Sequence, residues 1–100
     1  MSSQAERIDV RTAVRAAMNY VKSLYLGKDL QDLLLEEVEF SQESNQWLVT
    51  IGFSLKEKTE EAAPLIVSST KNRLLSRRYK VVEIDAKTGE PISMKIRVLQ

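Results

Sequence analysis

The chain contains neither cysteine nor histidine in its 100 residues. The first absence excludes a disulfide framework and thiolate chemistry. The second removes the commonest general base, the commonest metal ligand and the side chain that ordinarily titrates near neutral pH. Aromatic residues are 6% of the chain, with three glycines and two prolines. No apolar run approaches the ~18 residues of a membrane-spanning helix. The opening MSSQAERID has no apolar core of the kind a secretory signal carries, so the expected location is the cytoplasm. Charge of one sign is also missing: the net charge is +1, which argues against a protein that coats nucleic acid.

What remains is an ordinary globular composition, 43% hydrophobic and 29% charged, of a length that suits a single domain spanning residues 1–100. The clearest pattern runs from Val10 to Leu26. Val10, Ala13, Val14, Ala17, Met18, Val21, Leu24 and Tyr25 recur at steps of three and four, one stripe of a helix. Arg11, Arg15, Asn19, Lys22 and Ser23 fall opposite. Asp9 stands where an N-cap is needed, and Gly27 where a left-handed residue commonly ends a helix. About 17 residues make roughly 25 Å of helix. Its wide apolar stripe predicts a core-facing element over 10–26 rather than a membrane-surface one.

Past Leu34 the period changes to two. The alternation predicts strands at about 35–42 and 46–55, joined by the turn-forming SQESNQ. On the second, Trp47, Val49, Ile51, Phe53 and Leu55 share one face, as expected of core beneath the helix, and Leu48, Thr50, Gly52 and Ser54 share the other. Leu30–Leu35 is ambiguous between helical turn and strand. Residues 56–76, with Pro64, have no sustained pattern and read as a flexible excursion. Further strands are expected at about 77–85 and 91–99. Gly89 is able to take positive φ in the turn between them, and Pro91 is confined to the strand edge or just before it. On the last strand Ile92, Met94 and Ile96 are expected to face the helix. The fold class is therefore α+β: one long N-terminal helix packed on a four-stranded antiparallel sheet, in the order α-β-β-β-β.

Tyr79 to Met94, YKVVEIDAKTGEPISM, resembles the closing hairpin of a PepSY-type domain. There a Tyr/Val/Ile strand enters an Asp, a tight Lys/Asp-x-Gly turn and a returning strand of alternating Ile and Val. The helix with Ala13, Ala17 and Val21 on its buried side, and the strand Trp47-x-Val49-x-Ile51, fit the same picture. The resemblance covers about half the chain and implies a cystatin-like fold and an interaction or regulatory module. That family has no shared catalytic machinery, so no site residue carries over. PepSY domains are usually exported or membrane-attached, a departure from the opening residues here.

Candidate sites are few. Ser68-Ser69-Thr70-Lys71 and Lys87-Thr88-Gly89 match pieces of the penicillin-binding acyl-transferase motifs. No Ser-Asp-Asn lies between them, and the chain is too short for that fold. Glu36, Glu37, Glu39 and Glu43 could suggest paired carboxylates or a hard-cation site. On a strand they read better as a solvated outer face that also discourages edge pairing. No catalytic residue, metal site or cofactor is expected, and the protein reads as a non-enzyme. Lys71, Arg73, Arg77, Arg78 and Lys80, with Tyr79 interleaved, form a basic stretch that could bind phosphates or nucleic acid. Leu48, Tyr79 and Val81 are apolar residues on the face away from the helix, a candidate surface for a protein partner or a homodimer. The leading expectation is a small interaction module acting through that open face or an edge strand. Anion binding is the alternative. A ligand pocket or enzyme, lined by Glu36 or Glu83, is a third.

Overall fold

The computed structural model describes residues 7–56 and 75–98. Its elements are α1 (Val10–Leu24), β1 (Asp29–Ser41), β2 (Gln46–Lys56), β3 (Leu75–Asp85) and β4 (Pro91–Ile96). The strands form one sheet in the order β1-β2-β3-β4, every neighbour antiparallel. This is the α+β class with the expected order of elements.

Asp9 begins the helix as its periodicity requires. Its backbone is extended, and Oδ1 accepts a hydrogen bond from the Thr12 amide at 2.8 Å. The carboxyl is held below its ordinary value by hydrogen bonding from Thr12, its side chain first and its amide second. Ala13, Ala17 and Val21 are fully buried, at intervals of four on one stripe. Two alanines let the helix approach the sheet closely. The helix ends at Leu24 rather than Leu26. The Tyr25 amide turns to the Lys22 carbonyl at 3.3 Å, and its ring lies on Phe53 with centroids 5.1 Å apart. Gly27, at φ +86°, then reverses the chain.

β1 starts at Asp29, well before the expected residue 35, and takes in the ambiguous LQDLLL. Two β-bulges conceal its alternation. Asp32 and Leu33 together oppose Phe53, with Asp32 at φ +53°, and Glu36 is an extra residue beside Glu37 opposite Thr50. β2 and β3 supply the sheet's share of the core: Val49, Ile51, Phe53, Leu55, Val82 and Ile84. Ile8 anchors the chain entry. Its amide donates to the Ala86 carbonyl at 2.8 Å, and its carbonyl accepts from the Trp47 indole at 3.1 Å.

Asp85 organises the last turn, its Oδ1 accepting from the Lys87 and Thr88 amides at 2.7 and 3.1 Å, and Gly89 takes φ +81°. The final strand ends at Ile96 rather than 99, with one further ladder bond from the Arg97 amide to the Tyr79 carbonyl. Its inward face also departs from expectation. Met94 packs on the core, but Ile92 and Ile96 are 48% and 76% exposed. A bulge displaces Ile92, since Glu83 pairs with Ser93 and Ile84 with Pro91. The buried sheet residues come from β2 and β3, so the edge strand projects past the helix. The excursion read at 56–76 lies, but for its ends, outside the described residues.

Candidate interaction surfaces

The face of the sheet away from α1 is built on small side chains. β2 presents Thr50, Gly52 and Ser54 there, all buried, because longer side chains from other strands lie across them. Arg77 on β3 reaches over β2. It pairs with Glu36 Oε2 at 2.9 Å and donates to the Asp32 carbonyl at 2.7 Å. Glycine at 52 permits this crossing: a Cβ there would collide with Glu36 Oε2 and lie 2.8 Å from Arg77 Nη2. Burial alone would lower the Arg77 pKa, but the hydrogen bonds to Glu36 and Tyr79 outweigh it and the net shift is upward.

Arg97, just past β4, spans the sheet similarly. It pairs with Glu37 Oε1 at 2.9 Å and donates to Thr50 Oγ1 at 2.9 Å. Glu83 accepts from Ser93 at 2.7 Å and pairs with Lys95 at 3.3 Å. The Ser93 hydrogen bond is the first cause of its lowered pKa. The second bulge of β1 sets Glu36 and Glu37 side by side, each turned to a different arginine.

Leu48, Tyr79 and Val81 lie on this face, all half-buried. Leu48 stands between Glu39 and Glu83, Val81 beside Thr50 and Lys95, and Tyr79 opposite Gly52. They are interleaved with charge rather than gathered into one apolar patch. The basic stretch is divided. Strand alternation puts Arg77 on the open face, while Arg78 and Lys80 oppose Phe53 and Ile51 on the helix side. Lys71 and Arg73 lie outside the described residues. Among the described residues no group of three or more acidic side chains converges as a metal site.

A second surface lies on the other side, where α1 leaves β1 partly uncovered. Val10, Val14, Leu35 and Val38 line an open cleft of about 390 Å³, flanked by Arg11 and Arg15. Val10 is 39% and Leu35 42% exposed. The cleft lies between α1 and the edge strand β1, and among the described residues neither β1 nor β4 has a second neighbouring strand. Sequence patterning did not bring Val10 and Leu35 together. The available signal was the adjacent pair Glu36-Glu37, a break in alternation that marks a bulge and fixes which way Leu35 faces.

Among the described residues, the fold and these surfaces define a one-helix, open-sheet α+β domain with an unpaired strand edge on each side. Searches against protein-family models, curated proteins and solved structures find no match. Among the described residues, no helix is long and apolar enough to cross a membrane.

Proposed function

We propose that this chain is a small non-enzymatic interaction module that receives an extended protein segment along the β1 edge. Alternate side chains of that segment would enter the α1–β1 cleft. The observation that carries this reading is an apolar cleft, lined by Val10, Val14, Leu35 and Val38, against a strand that has one neighbouring strand among the described residues. Strand addition draws its affinity from backbone hydrogen bonds and its selectivity from pockets for every second side chain. Glu39, on the open face of the same strand, favours a basic residue at the position opposite it. The open sheet face is the weaker candidate, because its apolar members lie between intramolecular ion pairs. The resemblance to PepSY-type domains implies the same class of role.

The test is fluorescence polarisation with a labelled peptide of alternating isoleucine and lysine. Leu35→Lys is expected to weaken binding at least about tenfold, because it buries an unpaired ammonium, while Tyr79→Ala leaves binding unchanged. Loss on Tyr79→Ala with none on Leu35→Lys would move the site to the open face.

A further inference from the structure

The strand that best fits the β1 edge is the opposite edge of the same sheet. We propose that β1 and its cleft in one copy receive β4 of a second copy, head to tail. This rests on the reading that β1 accepts a strand, and it names the occupant.

Complementarity carries the argument. From Glu37 to Ser41, β1 pairs with β2 without interruption. Over that stretch Glu37 and Glu39 stand on the open face and Val38 and Phe40 on the helix side. β4 shows the converse pattern. Lys95 and Arg97 stand on the open face, and Met94 and Ile96 on the helix side, followed by Val98, which is 72% exposed. Pairing β1 with β1 sets glutamates against glutamates, and pairing β4 with β4 sets cations against cations. Both are penalised across a sheet, whereas β1 against β4 joins opposite charges.

Direction also agrees. The strands alternate along the sheet, so β4 runs opposite to β1. A second copy displaced along the sheet therefore offers β4 antiparallel to β1, with its helix on the same side. One register satisfies both faces. Glu37 falls level with Arg97 of the second copy, each already paired within its own copy, while Val38 opposes Ile96, Glu39 opposes Lys95 and Phe40 opposes Met94. The extra residue at Glu36 then brings Val98 of the second copy level with Leu35, at the cleft. Glu39 has no ion-pair partner among the described residues, and Lys95, which pairs with Glu83 of its own copy at 3.3 Å, keeps 65% of its side chain exposed. The contact uses different surfaces on the two copies, so assembly propagates unless it closes into a ring.

Sedimentation velocity on the wild-type chain, from roughly 10 µM to 1 mM at low and high salt, is expected to show mass rising with concentration and falling with salt. Leu35→Lys blocks the β1 side and Ile96→Asp the β4 side, so each variant alone is expected to be monomeric. Mixed, they are expected to form a discrete one-to-one dimer through the intact edge of each. Circular dichroism checks that both fold, as their exposure allows. Should either fail, Glu39→Lys and Lys95→Glu replace them, each weakening association singly and restoring it when combined in one chain. A mixture that stays monomeric, or a variant that associates like wild type, overturns the proposal. A monomeric wild type that still binds the isoleucine–lysine peptide through Leu35 overturns self-assembly alone. A wild type that does neither overturns both readings.

Discussion

Gly52 shows how one missing side chain shapes a face. Arg77 crosses β2 only because nothing rises from position 52, and a Cβ there would displace the Glu36–Arg77 pair. Relief of glycine's backbone entropy stabilises by about 0.5–1 kcal/mol, and an ion pair of this partial exposure contributes about as much. Gly52→Ala is therefore expected to fall within about 1 kcal/mol of wild type by urea denaturation. With Glu36→Ala and Arg77→Ala already in place, the same change is expected to stabilise by about 0.5–1 kcal/mol.

Glu83 gives the residue scale its pH dependence. Its folded pKa lies below the ordinary 4.5. The stability it contributes is thus present above that value and lost as pH falls through the folded one. Asp9 acts in the same direction. Thermal midpoints are expected to fall as pH drops below about 5, and to fall less in Glu83→Gln. With no histidine in the chain, they are expected to stay level between about pH 6 and 8. A step in that interval would contradict the assignment.

The elements differ in how plainly the sequence announces them. α1 was legible because its cap, its stripe and its stop agree, and it overran only where Tyr25 leaves the helix for Phe53. β2 was legible because one unbroken alternation matches one buried face. The first half of β1 was not, since two bulges reset the alternation and three successive leucines then point in mixed directions. β4 lost Ile92 to a bulge that breaks its period, and Ile96 to the reach of the helix: alternation reports which residues share a face, not whether a helix covers it. The same reasoning locates the costly substitutions. Phe53→Ala removes a fully buried ring and is expected to cost about 3–5 kcal/mol. Ala17→Leu forces the helix off the sheet and is expected to cost about 1–3 kcal/mol. Both are measurable by chemical denaturation, and a neutral Ala17→Leu would mean the helix does not lie as close as its two alanines allow.

At the scale of the molecule, among the described residues a single helix over four strands covers the middle of the sheet and leaves its margins uncovered. The sequence displayed the charges of those margins, glutamates before Gln46 and cations after Pro91, but not that they lie at opposite edges of one sheet. Strand order is long-range information that periodicity does not carry. The open-face residues Leu48, Tyr79 and Val81 were placed by alternation alone. The ion pairs around them required knowing that Arg77 and Arg97 reach across β2. The α1–β1 cleft was not legible, because it depends on how far the helix sits from an edge strand. The central claim, that this edge and cleft are the binding surface, is tested most directly by nuclear magnetic resonance. Backbone amide shifts would be followed as the protein is concentrated and as the isoleucine–lysine peptide is added. The account predicts peptide-induced changes at Leu35, Glu37–Ser41, Val10 and Val14, and concentration-dependent changes there and at Ser93–Val98. Changes centred on Leu48, Tyr79 and Val81, with the β1 edge silent, would contradict it.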